Sequence, residues 1–223
     1  MIEYLDWDSN FFGCRIGKIN YKSKLDSPLS FKNSDEFDLI YVFSDNEINL
    51  GIPLIDIKVT FYKNTQKKKA PPDVIDFNKN QHSYDELLEL VYMSGHESRF
   101  LKDQFFGEKA FKKLYKVWID KILDDDSAKI LVNKCNDILM GFVAYKYSKK
   151  FSNIDFIAVS PFARGKGLGK KLLDAVESNL GESKLLIVPT QEQNIGAYKF
   201  YINNGFQIID KKYIYHYATN SLQ

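Results

Sequence analysis

The sequence predicts an α/β protein, with alternating helices and strands over residues 73–223 and a small α/β subdomain over residues 1–72. Three observations lead there. Of the 223 residues 44% are hydrophobic and 15% aromatic, which excludes a disordered chain and suits a core that needs no disulfide or metal staple. Beyond residue 72, apolar residues recur alternately with helical and strand spacing. Between the two parts, residues 63–72 read KNTQKKKAPP, a polar, basic stretch ending in two prolines that reads as an exposed linker.

In the first part Cys14–Tyr21, Phe37–Phe43 and Lys58–Tyr62 are strand candidates, rich in β-branched and aromatic residues. In the second, Ser83-x-x-Glu86 is a capping box that opens a helix with Leu87, Leu90, Val91 and Ser94 on one face. Residues Glu108–Leu123 carry Phe111, Leu114, Tyr115, Trp118 and Leu123 at helical spacing. Three strands follow, Lys129–Lys134, Leu139–Tyr147 and Ile154–Val159, the first two joined by a hairpin at Asn136-Asp137. Gly167–Leu180 is a helix with Leu168, Leu172, Leu173, Val176 and Leu180 along one stripe, and Lys184–Val188 a buried strand. Asn194–Asn204 is a helix closed by Gly205, and Phe206–Asp210 and Tyr213–Tyr217 form a last strand pair.

Composition excludes several classes. Lys and Arg total 31 against 29 Asp and Glu, a formal net charge of +2, without the strong positive charge of many nucleic-acid binders. No apolar run is long enough to span a bilayer, and the acidic start MIEYLDWDSN is unlike a secretory signal. Cys14 and Cys135 lie far apart without a metal-ligand pattern. The expectation is a soluble, cytoplasmic protein that binds no nucleic acid, inserts into no membrane and holds no metal.

The most informative segment is Ile154–Leu173, IDFIAVSPFARGKGLGKKLL, in which a strand runs through a glycine-bearing loop into an amphipathic helix. Glycines at the mouth of a helix let backbone approach an anion, and the unpaired amides of the first turn bind it with help from the helix dipole. Lys166 and Lys170 add positive charge. The spacing fits neither a P-loop nor the G-x-G-x-x-G dinucleotide fingerprint. A phosphate or pyrophosphate site and a ligand-free strand–helix turn both stay open at this point.

A second segment, Gln193–Phe206 (QNIGAYKFYINNGF), adds to it. Arg-x-x-Gly-x-Gly at the head of a helix, followed by Asn-x-x-Ala-x-x-Phe-Tyr-x-x-x-Gly-Phe, resembles the GNAT superfamily of N-acyltransferases, as does the element order of residues 73–217. The resemblance implies a mixed, mostly antiparallel twisted sheet flanked by helices, and acetyl-CoA as co-substrate. It implies that the amides of Arg164, Gly165, Lys166, Gly167, Leu168 and Gly169, with Lys170 beside them, bind the coenzyme pyrophosphate. Ile157, Ala158 and Val159 would lend backbone groups to the pantetheine arm, Asn194 and Ala197 would line the coenzyme site, and Tyr201 would protonate the departing thiolate. A phenol of pKa about 10 is a competent donor to a thiolate of pKa about 8.5. The i, i+4 spacing of Ala197 and Tyr201 also suits a core aromatic.

Leu5-Asp6-Trp7-Asp8-Ser9-Asn10-Phe11-Phe12-Gly13 resembles the opening of the dTDP-fucosamine (dTDP-4-amino-4,6-dideoxygalactose) acetyltransferase group. Ser94-Gly95, Ser98-Arg99-Phe100, Asp103, Phe105, Leu114-Tyr115 and Trp118-Ile119 resemble it too, whereas residues 22–72 match nothing. This implies a nucleotide-linked deoxyamino sugar as acceptor, in surface polysaccharide synthesis, and a homodimer. Arg99, flanked by Ser98 and Phe100, could grip a diphosphate; the alternative is a surface arginine paired with Asp103. Trp7 and Phe12 could cover the sugar or pin the first strand. Among the histidines only His96 is placed to take a proton, and the expected base is a water. The amine would attack directly in a ternary complex. Two alternatives remain: the same fold acting on a protein N-terminus, lysine or polyamine, and a non-catalytic coenzyme A-binding module.

Overall fold

Along residues 138–147, Phe142 and Ala144 pack into one apolar cluster while Val143 and Tyr145 pack into another. Along residues 128–135, Ile130 and Val132 likewise face away from Leu131. The two-residue period of a strand thus buries both faces of the central sheet, each under its own helices. The computed structural model describes residues 2–22, 34–49 and 51–219.

In chain order the elements are β1 (Glu3–Tyr4), α1 (Asp6–Phe12), β2 (Ile16–Tyr21), β3 (Leu39–Ser44), β4 (Leu54–Asn64) and β5 (Ile75–Asp76). Then come α2 (Tyr84–Ser94), α3 (Arg99–Lys102), α4 (Gly107–Leu123), β6 (Ala128–Cys135), β7 (Ile138–Tyr147) and β8 (Ser152–Val159). Last are α5 (Leu168–Leu180), β9 (Leu185–Gln191), α6 (Ile195–Asn203) and β10 (Gln207–Ala218). The ten strands form one sheet in the order β1-β2-β3-β10-β4-β9-β8-β7-β6-β5, with parallel pairing at β2–β3 and β8–β9. Helices α2 and α4 cover one face through Leu87, Leu90, Phe111, Leu114 and Ile119, and α5 and α6 cover the other through Leu168, Leu172, Val176 and Tyr201. This is the mixed, mostly antiparallel sheet flanked by helices that the sequence led us to expect.

Local signals hold. Ser83 Oγ accepts from the Glu86 N–H at 3.2 Å, the first half of the capping box. The Glu86 carboxylate does not close the box; it accepts from the Leu139 N–H at 2.9 Å and ties α2 to β7. Asn136 and Asp137 both adopt positive φ, as a tight hairpin between β6 and β7 requires.

Four features differ from the sequence reading. The segments expected as a last strand pair are one strand, β10, bent by irregularities at Ile208/Asp210 and Ile214/Tyr215. Pairing explains this: the first half of β10 lies on β4 alone, Tyr213–Tyr215 are held between β3 and β4, and His216–Ala218 lie on β3. Asp6–Phe12 and Arg99–Lys102 are helical, too short to show a period. The stretch expected as an exposed linker begins inside the fold. Lys63 is buried with its ammonium 2.7 Å from Glu177 Oε1, and Thr65 donates to Gly181 O at 2.6 Å. Finally, strands from residues 1–72 lie within the common sheet, with β4 between β10 and β9. Among the described residues no helix is long and apolar enough to cross a membrane.

Candidate active site

β8 and β9 pair only at Ser152–Leu186 and Asn153–Ile187. Beyond that point β8 stays with β7 as far as Val159, while β9 follows β4 along its whole length. Two parallel strands recruited by different neighbours must diverge, and alternate backbone groups of β8 then face the gap instead of a ladder partner. A cavity of about 670 Å³ opens in this wedge, within the usual range for ligand sites. It is lined from β8 by Phe156 and Ile157, from β9 by Thr190, and from α6 by Asn194, Ala197 and Tyr201.

At the C-terminal end of β8 the chain turns into the glycine-bearing loop. Gly165 and Gly167 take φ of +73° and +78°, and a Cβ built on either would meet nothing within 4 Å. These positions need glycine for their left-handed backbone and leave the space above them open. Among the described residues the amides of Gly165 to Lys170 donate to no backbone carbonyl; the first helical bond is Lys171 N–H to Gly167 O at 3.1 Å. No side chain caps α5. A run of free, convergent donors at a helix N-terminus is a site for an anion. Gly169 serves another purpose, since a Cβ there would stand 3.1 Å from the Phe200 ring, so its absence lets α5 meet α6. Of the cationic side chains, Arg164 donates from Nε to Val159 O at 3.2 Å, Lys166 to Phe162 O at 3.0 Å, and Lys170 pairs with Asp174.

Asn194 caps α6, its Oδ1 accepting from the Ala197 N–H at 3.1 Å. That fixes the helix so that Tyr201, two turns on, reaches the cavity. Tyr201 is buried against Phe61, Phe200 and Phe206 as well. Burial alone pushes its pKa up, so the phenol keeps its proton throughout the neutral range.

The opposite wall rises from the face of β3, β10 and β4. Phe43, Ile214 and Asp56 are adjacent across these three strands, and all line the cavity. Above them stands Arg99, held by its helix cap: Ser98 Oγ accepts from the Phe100 N–H. The Arg99 guanidinium lies 4.7 Å from the centroid of Tyr41, 4.6 Å from Phe100 and 5.6 Å from Phe43. Rings surround it, yet it forms no ion pair among the described residues. The expected alternative partner, Asp103, instead hydrogen-bonds His216. Three buried polar atoms near this wall lack a hydrogen-bond partner among the described residues: Tyr41 Oη, Asp56 Oδ1 and His216 Nε2. All three groups feel the Arg99 charge.

The structure therefore gathers Ile157, Asn194, Ala197, Tyr201, Ser98, Arg99 and Phe100 around one cavity. Ala158, Val159 and residues Arg164 to Lys170 lie outside its lining, in the strand end and loop beyond it. Trp7 and Phe12 are not in the wall either. Phe12 backs it by stacking on Phe100 at 5.8 Å, and Trp7 sits under Lys121, a lining residue, at 4.5 Å. His96 is exposed and paired with Glu97, away from the cavity, so it is not placed to take a proton there. Asp56 escaped the sequence reading because it lies in a segment without a motif; a lone Asp inside the strand-like run LIDIKVTFY was the available signal. Among the described residues no group of three or more His, Cys, Asp or Glu side chains could hold a metal.

Comparison with known proteins agrees with this geometry. The family model for acetyltransferases of the GNAT family matches residues 96–206. No curated protein matches the sequence. Among solved structures, a conserved protein of unknown function from Staphylococcus epidermidis superposes with a TM-score of 0.63 at 14% identity, covering 92% of this chain and 84% of the other. A GCN5-related N-acetyltransferase from Kribbella flavida gives 0.53 at 10% identity, covering 93% and 83%. A protein placed in the GNAT acetyltransferase family from Novosphingobium aromaticivorans gives 0.54 at 11%, covering 82% and 75%. At these identities the structures speak for the fold. The sequence match, across the segment that builds β6 to α6 and carries both the loop and Tyr201, makes this chain an acyltransferase of the GNAT family.

Proposed function

We propose that the protein moves an acetyl group from acetyl-CoA to the primary amine of a nucleotide-linked deoxyamino sugar, of the dTDP-linked 4-amino-4,6-dideoxyhexose type. The observation that carries this reading is Arg99, a cavity-lining guanidinium with aromatic faces on three sides and no ion pair among the described residues. Such a group suits a bidentate grip on a diphosphate, with rings beside it to pack a sugar or base. The rest of the lining supports an anionic acceptor. Lys58, Arg99, Lys121 and Lys146 outnumber Asp56 and Asp155, which disfavours a polyamine or lysine side chain.

The residues divide the work by position. The free amides of Gly165 to Lys170 would hold the coenzyme pyrophosphate, and the unpaired edge of β8 at Ile157 to Val159 would align the pantetheine arm. When bound, acetyl-CoA supplies the activated acyl group. Tyr201 donates a proton to the sulfur as the C–S bond breaks, and divergence of β8 from β9 gives the amine its line of approach.

Mass-spectrometric turnover of acetyl-CoA against three acceptor classes tests the reading. These are dTDP-4-amino-4,6-dideoxygalactose, a peptide with a free N-terminus, and spermidine. Preferred acetylation of the sugar nucleotide is expected. Arg99→Ala should then raise KM for that acceptor by about 10–100-fold, the range for a charge-assisted bond, and leave KM for acetyl-CoA nearly alone. Preference for the peptide or spermidine would end the nucleotide-sugar assignment.

A further inference from the structure

Among the described residues, Asp56 is the one buried carboxylate that fold and function have not explained. It is 5% exposed and lies on β4, outside the family-matched segment. Its Oδ1 is buried and has no hydrogen-bond partner among the described residues. Buried carboxylates normally find a partner, because leaving one unpaired costs the full desolvation of its charge. Of the three unpartnered groups near Arg99, Asp56 alone lines the cavity. Tyr201 lines the same cavity from α6.

We propose that Asp56 is the acceptor-amine site: its free carboxylate oxygen receives the substrate ammonium and takes one of its protons, so that the nitrogen attacks as the free base. This rests on the acyl-transfer reading of the cavity, but not on the nucleotide sugar. The protons balance. Of the three on the ammonium, one remains on the product amide and one passes through Asp56 to solvent. The third matches the proton gained by the departing thiolate. The N–C bond forms, the C–S bond breaks, and no oxidant or further reactant is needed.

The surroundings fit a proton acceptor working near neutrality. Burial raises the pKa of Asp56 to about 6, against the opposing pull of Arg99 from α3, the Ile57 amide and Lys58 on its own strand. Tyr115 from α4 also faces it, and from β10 its opposite residue is the uncharged Ile214. A carboxylate so placed is ionised at pH 7 yet basic enough to share a proton with an ammonium. Arg99 keeps it from becoming more basic, and also sets where the negative part of an acceptor would lie.

Asp56→Asn keeps shape and removes the base. In the full-length protein, with whichever acceptor of the three classes turns over, kcat/KM at pH 7 should fall about 10²–10⁴-fold while acetyl-CoA affinity stays within a factor of about two. The wild-type profile of kcat/KM against pH should rise through a pKa near 6, and the variant should lose that limb. Independently of turnover, ethanolamine titrated into the coenzyme A-saturated wild type should shift the Asp56 carboxyl ¹³C resonance saturably, and tetramethylammonium should not. An Asp56→Asn variant with wild-type kcat/KM, a retained acidic limb, or a carboxyl signal indifferent to ethanolamine would each overturn the proposal. Turnover confined to the peptide or spermidine would remove the nucleotide sugar and leave Asp56 in place.

Discussion

The two walls of the cavity are built in opposite ways. The wall proposed for the coenzyme comes from one stretch of about 50 residues, in which β8, β9 and α6 line the cavity and the loop and α5 lie beyond it. The wall proposed for the acceptor joins β4, β3, β10 and α3, so Asp56, Phe43, Ile214 and Arg99 meet from four separated segments. The first stretch offers free backbone donors in its loop, and the second wall offers side chains. Backbone amides recognise what every reaction of this kind shares, while side chains recognise what is particular to one acceptor. Each wall also carries a buried acid whose pKa burial has raised, Tyr201 on one side and Asp56 on the other. The same physical cause keeps the phenol protonated and moves the pKa of the carboxylate towards neutrality.

The largest expected effect breaks the coenzyme wall at its acid. Tyr201→Phe keeps the ring packed on Phe61 and Phe206 but removes the donor. Steady-state kinetics should show kcat lower by about 10²–10⁴-fold with acetyl-CoA affinity and melting temperature little changed. An activated thioester, whose thiol leaves without protonation, should restore much of the rate. Turnover at the wild-type rate would reduce Tyr201 to a core aromatic.

Next comes the anion loop. Gly167→Val places a side chain over the open amides at a left-handed position. Calorimetry should show acetyl-CoA binding weakened by at least about tenfold, and thermal unfolding should register about 1–3 kcal/mol of backbone strain. Equal acetyl-CoA affinity in the folded variant would separate the loop from the coenzyme.

A last prediction sharpens the proposed acceptor wall without any ligand. A carboxylate whose pKa is 3.8 unfolded and about 6 folded binds more protons in the native state between those values. Its contribution to stability is therefore full below pH 3.8 and is lost as pH rises to about 6, a swing of about 3 kcal/mol at 1.36 kcal/mol per unit. Asp56→Asn should lack this slope and unfold at higher urea than wild type above pH 6. Parallel urea curves for both proteins from pH 4 to 7 would mean that Asp56 titrates normally.

Much of the coenzyme wall was legible because it obeys local rules. The loop glycines, the Asn194 cap and the apolar stripe of α5 are each set by neighbours within a turn or two, so their spacing survives in the sequence. The acceptor wall was legible only at Ser98-Arg99-Phe100. Asp56 reads as an ordinary polar residue in a strand until β10 and α3 enclose it. Trp7 and Phe12 could be read as covering a sugar or as pinning the first strand, because whether a ring faces a cavity or backs its wall depends on what packs in front, here Phe100 and Lys121. Lys63 looked exposed in its basic run, because nothing local announces Glu177 more than a hundred residues away.

By itself the sequence determined the α/β class, the longer helices and strands of residues 84–203 to within a few residues, and the family through the motifs at Arg164 and Asn194. Those depend on periodicity, capping and turn chemistry, which act over short distances along the chain. Only the tertiary structure decided that β4 would sit between β9 and β10, that β10 would run as one bent strand, and that β8 would part from β9 to open the cavity. It also decided that a carboxylate from residue 56 would face a guanidinium from residue 99. Strand partnership is a competition between distant segments for the same edge, and burial is set by its outcome. The charge state of Asp56, and with it the chemistry of the acceptor wall, follows from that competition.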